Sequence, residues 1–291
     1  MRDTGSTTDT LPHFSPPYDW AAVDAATRGA GGAILKGLLG EDLLSRLNAE
    51  MDAYYAANPD FGLPNTGSEI YDQFHGLRTI RMHGLTEKLS SGAELIELDP
   101  VVRWAERLME PVSGAIRLSA AESIDIGPDE PDQYLHRDSD SWPVVPIMDA
   151  PVIVNAIYAL DDFTLENGAT NVLPGSWEWE KERHAEKHEI VRAVMKAGDA
   201  LCFRGDLLHG GGANESGANR RAISVSYCAG WLRPVEESLL NVPPHLAKRH
   251  SRRLQELLGY TSHDATRFNG GVVGLYDNQD PRKAIEDAER E

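Results

Sequence analysis

Gln133-Tyr134-Leu135-His136-Arg137-Asp138 is the stretch that decides how the rest of the chain is interpreted. If the stretch is an extended strand, side chains alternate between its two faces, so His136 and Asp138 point the same way. An imidazole nitrogen and a carboxylate oxygen on one face can hold a metal ion between them. A His-x-Asp pair also arises by chance as a hydrogen-bonded surface pair. The stretch therefore predicts two metal ligands and requires a third.

The third ligand is predicted to be His209. A Gly198-Asp199 turn, an apolar strand and a second turn at Gly205-Asp206 bring this histidine to the end of a strand, and glycines follow it directly. Glycine lets the backbone pass close to a site. Two imidazoles and one carboxylate on one face of an octahedron suit Fe(II) and leave positions open, whereas zinc normally has fewer vacancies.

Arg220 opens a strand over residues 220–228 that predicts an anion site. Counting by twos, Arg220 shares its face with small side chains, and Arg221 lies on the other, apolar face with Ile223 and Val225. A guanidinium group matches a carboxylate in bidentate geometry, so Arg220 could hold the far carboxylate of a dicarboxylic cosubstrate. The alternative is a simple ion pair with a loop acid such as Glu215.

The predicted fold class is mainly β with flanking helices, best described as a double-stranded β-helix, or jelly roll. Short β-like runs separated by turn residues favour an antiparallel sandwich or barrel. We expect strands near 115–126, 133–138, 152–160, 170–173, 190–196, 200–204 and 220–229. Helices are predicted over 41–57, from Asp99-Pro100 to Pro111, over a charged segment 178–189, and from Pro243 to Gly259.

The predicted organisation is a flexible N-terminal tail, 1–18, followed by a single domain, 19–291. That domain has a helical part (about 19–113), a jelly-roll core (about 114–232) and a C-terminal helical extension (about 233–291). The tail is rich in Ser, Thr, Asp and Pro and offers little to bury. The extension could pack on a second subunit, which makes a homodimer an open expectation.

Composition narrows the class of partner to a small molecule. The chain has 291 residues and a net charge of 28 − 46 = −18, which repels nucleic acids and anionic membrane surfaces. It has no apolar signal core and no run long enough to span a membrane, so a cytoplasmic protein is expected. Its two cysteines, Cys202 and Cys228, lie in apolar runs and are expected to be buried and reduced.

Taken together, these motifs resemble the phytanoyl-CoA dioxygenase family of Fe(II)/2-oxoglutarate oxygenases. The resemblance runs from about Asp19 to the C-terminal helix and rests on His136-x-Asp138, the segment from Glu166 to Trp177, Gly198-Asp199, His209 and Arg220. The segments Tyr227 to Pro234 and Leu257 to Tyr260 resemble its natural-product-tailoring branch. One departure is Trp177, where many relatives carry histidine; it is expected to affect packing and not ligation.

The resemblance implies a cupin-like jelly roll with His136, Asp138 and His209 on Fe(II) and Arg220 on 2-oxoglutarate. It further implies that Gln133 and Thr170 hydrogen-bond 2-oxoglutarate, and that Arg81 or His83 supplies another polar contact; the choice between these two stays open. The implied chemistry consumes dioxygen (O2), converts 2-oxoglutarate to succinate and carbon dioxide, and oxidises a second, prime substrate.

The prime substrate is expected to be a small hydrophobic molecule such as a terpenoid, alkaloid or polyketide intermediate. Trp142, Trp177, Trp179 and Trp231 could line an aromatic pocket, and Trp142, Trp231, Arg81 and His83 are the candidate substrate contacts. Hydroxylation is the default outcome, with desaturation, epoxidation, endoperoxide formation and rearrangement open. Halogenation is disfavoured because Asp138 fills the position that a halide needs.

Three alternatives compete with this interpretation. A cupin-like metalloenzyme that does not use 2-oxoglutarate would share the jelly roll but would not need Arg220 or Gln133. An oxygenase acting on an acyl-CoA or acyl chain would favour a basic approach surface, which the charge of −18 argues against. A catalytically silent binding protein would not need an intact triad.

Overall fold

Two β-sheets and a layer of helices make up the protein. The computed structural model describes residues 11–62 and 67–290. The larger of these sheets has seven strands and the smaller has three. A further sheet of two short strands lies near the C-terminus. The strands are β1 His13–Phe14, β2 Gly32–Leu35, β3 Thr79–Met82, β4 Ile116–Ile126, β5 Ile153–Ala159, β6 Thr170–Val172, β7 Val191–Ala193, β8 Ala200–Arg204, β9 His209–Gly210, β10 Arg220–Ala229, β11 His263–Asp264 and β12 Val272–Val273.

The seven-stranded sheet has the order β1-β2-β8-β5-β10-β4-β3. All its neighbours are antiparallel except β1 and β2, which are parallel. In the register of the central strands, Ser224 of β10 lies between Glu122 of β4 and Ile157 of β5. Alternate residues of these strands therefore share one face of the sheet.

One face of the large sheet packs against the small sheet, which has the order β7-β6-β9. Ile157, Phe203 and Ala222 of the large sheet join Val172 and Ala193 of the small sheet in one buried cluster. Apolar side chains on the facing sides of the two sheets fill the space between them and form this layer. The open end of the same space forms a cavity.

The other face of the large sheet packs against helices. Ile223, Val225 and Tyr227 of β10 are fully buried there together with apolar helix residues such as Trp104 and Leu108. The helices are α1 Trp20–Gly29, α2 Glu41–Ala57, α3 Glu69–His75, α4 Leu85–Lys88, α5 Ser90–Ile96, α6 Asp99–Met109, α7 Ser238–Asn241, α8 Pro244–Ala247, α9 Arg252–Leu258 and α10 Arg282–Ala288. Across the described ranges, each helix is too short or too polar to cross a membrane.

The structure differs from the sequence prediction in two segments near the site. Residues 133–138 are not a regular strand: His136 makes a single antiparallel bridge, and Asp138–Ser141 is a 3-10 turn. The charged segment 178–189 is not a helix either: it contains the last residue of the 3-10 turn Ser176–Glu178 and the short 3-10 turn Lys187–Glu189. Its charged side chains offer no apolar face to pack, and packing supplies most helix stability.

The two ends of the chain also differ from expectation. Of the predicted flexible tail 1–18, residues 1–10 lie outside the described residues, but Leu11 is buried and His13–Phe14 pairs with Gly32–Leu35. The predicted helix from Pro243 to Gly259 is two helices, α8 and α9, because Ser251 caps a new helix by accepting a hydrogen bond from the backbone of Leu254. Cys202 and Cys228 are buried and unbridged, as expected.

Candidate metal centre and its cavity

His136, Asp138 and His209 come together in the structure. One ligand atom from each residue can be chosen so that all three lie within 4.8 Å of one another. The Asp138 Oδ1 is 3.4 Å from the His136 Nε2, and the Asp138 Oδ2 is 3.7 Å from the His209 Nε2. The carboxylate thus faces one nitrogen of each imidazole.

A backbone carbonyl lies next to the Nδ1 of each imidazole and orients the ring. The Nδ1 of His136 lies 3.2 Å from the Tyr134 carbonyl, and the Nδ1 of His209 lies 3.0 Å from the Leu207 carbonyl. In a neutral imidazole, a proton donated from Nδ1 leaves Nε2 as the lone-pair nitrogen. The donor set of two Nε2 atoms and one carboxylate therefore fits a divalent transition metal such as Fe(II).

Burial keeps these groups in the protonation states that ligation needs. Desolvation, opposed by the charge of Asp138, lowers the pKa of His209 to about 4. Burial alone would raise the pKa of Asp138, but the nearby His209, His136 and Asn155 side chains outweigh it, so the pKa is lowered. At neutral pH, His209 is therefore an uncharged imidazole and Asp138 a carboxylate.

Arg220 lies in the same cavity and forms no ion pair with an acidic side chain of residues 11–62 or 67–290. It is 2% exposed, its Nη2 donates to the Gly168 carbonyl at 2.6 Å, and its guanidinium carbon is 4.0 Å from the centroid of the Phe163 ring. Its Nε has no hydrogen-bond partner within the described residues. Burial, followed by the charge of Arg81, lowers its pKa to about 9, so it is still a cation at pH 7. The alternative ion pair with Glu215 is therefore absent from the described ranges.

The cavity that contains these groups has a volume of about 710 Å³. Its lining includes the triad and Arg220, and its apolar part includes side chains from the large sheet, from α3 and from the segment after Asp138: Phe74, Ile124, Ile126, Trp142, Ile153, Ile157 and Phe203. A mostly apolar cavity with a few convergent polar groups is typical of a small-molecule site.

Gln133 and Thr170 also line the cavity. The Nε2 of Gln133 donates to the Phe74 carbonyl at 2.9 Å, and its Oε1 accepts from the backbone nitrogen of Gly211 at 3.0 Å. A primary amide carries two N–H donors, so one remains for another acceptor. Thr170 is buried in β6 and its side chain reaches the same space.

Arg81 and His83 line the cavity as well, and both contact Glu122. The Nη1 of Arg81 is 2.9 Å from the Glu122 Oε1, and the Nε2 of His83 is 3.5 Å from the Oε2. Burial alone would raise the pKa of Glu122, but Arg81 and His83 outweigh it and lower the pKa. Both candidates are thus positioned at the cavity, and Glu122 orients them.

Of the four tryptophans expected to line a pocket, only Trp142 borders this cavity within the described residues. Trp177 is buried, donates to the Gly29 carbonyl and packs against Arg204. Trp179 contacts Arg183, and Trp231 is 37% exposed and donates to the Val112 carbonyl. Trp231 is not among the described residues that line the cavity, and its role as a substrate contact stays a prediction.

Sequence reasoning missed several cavity residues, among them Phe74, Glu122 and Asn155. Phe74 comes from α3, far from the motifs, and its ring is 5.0 Å from that of His136. Asn155 interrupts the apolar strand β5, and a polar residue inside a buried strand is the signal that could have identified it; Glu122 lies in β4 among other polar residues, so no such signal marks it.

A family model described as phytanoyl-CoA dioxygenase (PhyH) matches residues 27–222, about two thirds of the chain. The chain belongs to this family. The expected family is therefore confirmed, and so is the expected class of enzyme, a dioxygenase.

Two fungal dioxygenases are similar to most of the chain. Dioxygenase FUM3 of Gibberella moniliformis is 32% identical over 243 residues, which are 80% of this chain and 79% of that protein. The Fe(II)/2-oxoglutarate-dependent dioxygenase nvfF of Aspergillus novofumigatus is 30% identical over 267 residues, 88% of each chain. This chain is thus similar in length and organisation to fungal dioxygenases of the family.

Solved structures show a shared fold. The non-heme alpha ketoglutarate dependent epimerase SnoN from nogalamycin biosynthesis has a TM-score of 0.60 at 20% identity, covering 74% of this chain and 82% of its own. HygX from Streptomyces hygroscopicus, solved with nickel and 2-oxoglutarate bound, has a TM-score of 0.59 at 16% identity, covering 73% and 88%. At such identities the likeness concerns the fold.

Proposed function

We propose that this protein is an Fe(II)/2-oxoglutarate-dependent oxygenase that oxidises a small, largely apolar natural product. His136, Asp138 and His209 are the iron ligands, and Arg220 anchors the far carboxylate of 2-oxoglutarate. Fe(II), 2-oxoglutarate and dioxygen are the cofactor and cosubstrates of this reaction class. Family membership and the named activity of nvfF support the class.

One observation carries the proposal: a buried arginine without an acidic partner shares a cavity with a His-Asp-His triad. An unpaired buried cation is costly, and a dicarboxylate that reaches from the triad to Arg220 would offset that cost. A metalloenzyme without a keto acid cosubstrate would leave Arg220 unexplained. The two facing sheets around the site further support a double-stranded β-helix, or jelly roll, as its scaffold.

Bound Fe(II) and 2-oxoglutarate would allow dioxygen to act as the oxidant: one oxygen atom would end in succinate as 2-oxoglutarate loses carbon dioxide, and the other in the hydroxylated prime substrate. The chain's own residues orient the reactants. The Nε2 atoms of His136 and His209 and the carboxylate of Asp138 would hold the metal, and three ligands of this kind leave positions open for the cosubstrate. Arg220 fixes the cosubstrate at its far end, and the spare N–H of Gln133 and the hydroxyl of Thr170 are placed to hydrogen-bond it.

The rest of the cavity is the proposed site of the prime substrate. Ile124, Ile153, Ile157 and Trp142 offer apolar contacts that exclude water from the oxidised carbon. Arg81, His83 and Glu122 provide a polar group of contacts in the same space. We propose hydroxylation as the default outcome, because this set of ligands needs nothing further for it; desaturation, epoxidation and rearrangement share the same ligands.

The test is anaerobic titration of the purified protein with Fe(II) and then 2-oxoglutarate, recorded by visible absorption. A weak charge-transfer band that appears only with both components supports the proposal. Its loss in Asp138→Ala, a variant with an incomplete triad, is the expected control. No band with the wild-type protein, at concentrations where Fe(II) binding is shown by equilibrium dialysis, would rule out 2-oxoglutarate as the cosubstrate.

A screen for substrate then follows. Terpenoid, alkaloid, polyketide and acyl-CoA candidates are compared for their stimulation of succinate formation above the uncoupled rate. Stimulation by acyl-CoA alone would contradict the proposed substrate class. The single domain over 19–291, the homodimer and the cytoplasmic location stay predictions.

A further inference from the structure

Asn155 is a polar residue inside an otherwise apolar strand. In β5, Val154, Ala156 and Tyr158 face the helices and are buried in the main core. The alternate residues Ile153, Asn155 and Ile157 face the cavity. The strand therefore places one primary amide on the cavity wall between two isoleucines.

The amide nitrogen of Asn155 has no hydrogen-bond partner among the described residues. Asn155 is 2% exposed, and its buried Nδ2 makes no hydrogen bond within residues 11–62 and 67–290. Burying an amide without a hydrogen bond costs on the order of 1–3 kcal/mol in proteins. Such an orphaned donor implies an acceptor in the functional state of the site.

Asn155 lies where the segments that carry the metal ligands meet. A Cβ added at Gly205 would stand 3.4 Å from the Asn155 Nδ2, so Gly205 lies directly beside the amide. The carbonyl of Gly205 accepts a hydrogen bond from the backbone nitrogen of Ser139, which follows Asp138. Gly205 also opens the turn that leads to His209.

The acceptor closest to this description is the Asp138 carboxylate. Asn155 and Asp138 both line the cavity, and Gly205, which lies beside the Asn155 amide, is hydrogen-bonded to the residue that follows Asp138. A carboxylate that binds a metal through one oxygen keeps a second oxygen that needs a donor. Removing a residue that hydrogen-bonds a metal ligand typically lowers the metal affinity about 10–100-fold.

We propose that Asn155 is a positioning residue for the metal centre: its amide donates a hydrogen bond to the carboxylate of Asp138 and holds that ligand in the orientation that the metal requires. The inference rests on the proposed function, because it takes Asp138 as a ligand. Asn155 acts only through Asp138 and touches neither cosubstrate nor metal. Filling the metal site satisfies the otherwise orphaned N–H.

The test uses Asn155→Leu, which keeps the approximate shape of the side chain and removes the donor. Co(II) replaces Fe(II) as the probe because it is stable in air, and its dissociation constant is measured by titration without 2-oxoglutarate. We expect the constant to rise about 10–100-fold. The unfolding midpoint of the metal-free variant is expected to be unchanged or raised, since an apolar residue replaces an unpaired buried amide.

Val154→Ala is the matched control, one residue away on the opposite face of β5. It creates a cavity in the main core, so it should lower the midpoint of the metal-free protein while its Co(II) affinity stays within about twofold of wild type. An Asn155→Leu variant that behaves like this control would overturn the inference, because the amide would then have a structural role only.

Two further results separate this inference from the proposed function. If wild type shows the charge-transfer band and Asn155→Leu binds Co(II) as tightly as wild type, the inference fails and the proposed function stands. If wild-type protein does not bind Co(II) or Fe(II), both fail together.

Discussion

His136 and His209 exchange both of their backbone hydrogen bonds. The nitrogen of His136 is 2.9 Å from the carbonyl oxygen of His209, and the nitrogen of His209 is 3.0 Å from that of His136. This isolated bridge sets the two imidazole centroids 4.4 Å apart, although 73 positions separate the residues in sequence. The backbone therefore fixes the distance between two proposed ligands before any metal binds.

A site that is already assembled should stabilise the fold when it binds a metal. We expect saturating Co(II) or Fe(II), at about 100 times the dissociation constant, to add about 2.7 kcal/mol to the free energy of unfolding. For a chain of 291 residues, that corresponds to a rise of about 4 °C in Tm. Differential scanning calorimetry with and without metal measures the shift.

Two variants check where the metal binds. Asp138→Ala should abolish the shift, because it removes the only carboxylate among the three ligands. His188→Ala should keep it, since His188 is an exposed histidine with a side chain that is 77% accessible. Equal shifts in Asp138→Ala and wild type would mean that the metal acts elsewhere on the protein.

Arg220 should affect the cosubstrate more than the prime substrate. We expect Arg220→Leu to raise the KM for 2-oxoglutarate at least tenfold, because a charge-assisted bidentate contact is lost, while the KM for the prime substrate changes little. Steady-state kinetics with each substrate varied in turn measure the two constants.

Arg221 is the matched control for this arginine. It lies on the other face of β10, where it pairs with Asp52 at 2.7 Å and Asp125 at 3.5 Å. Arg221→Leu should lower stability and leave the KM for 2-oxoglutarate close to wild type. Equal effects of Arg220→Leu on both KM values would contradict its assigned role.

The alternation of β10 was predictable because a strand has a period of two. Ile223, Val225 and Tyr227 pack against the helices, and Ser224 and Ser226 face the cavity. The same period put Arg220 on the cavity face and Arg221 on the other. This part of the site follows from local geometry alone.

The joint orientation of His136 and Asp138 was predicted for a wrong reason. Alternation in a strand was expected to align them, but Asp138 begins a 3-10 turn that follows a single bridge. The alignment comes instead from a tertiary contact, the pairing of His136 with His209. Phe74 and Asn155 escaped prediction for a similar reason, since their roles depend on which distant segments they meet.

Stability of the metal-free protein should depend on pH through His209. Its pKa is about 4 in the folded protein, against an ordinary value of 6.5. Between these values the unfolded chain binds a proton that the folded protein excludes, so stability rises with pH across this window. Urea unfolding in the presence of a chelator should show a loss of about 1–2 kcal/mol from this group between pH 6.5 and pH 5.

His209→Gln should reduce this dependence. The variant cannot abolish it, because burial also lowers the pKa values of His13, His75 and His263. Asp138 does not obscure the effect, since its pKa is lowered from 3.8 and it loses its charge below the window. A variant with the same pH dependence as wild type would show that His209 is not the group responsible.

The buried pair Arg204 and Asp206 should support the turn that carries His209. The Nε of Arg204 donates to the Asp206 Oδ1 at 2.5 Å, its Nη2 donates to the Oδ2 at 2.9 Å, and both side chains are almost inaccessible. Asp206→Ala leaves a buried cation without its partner and should cost about 3–5 kcal/mol in the free energy of unfolding. The double variant Arg204→Met/Asp206→Leu should cost less, because it removes both charges.

The control is Glu256→Ala, which breaks an exposed ion pair with Arg252 and should cost less than about 1 kcal/mol in the free energy of unfolding. Urea denaturation of the three variants measures the difference. A loss in Asp206→Ala no larger than in Glu256→Ala would show that the buried pair does not stabilise this turn.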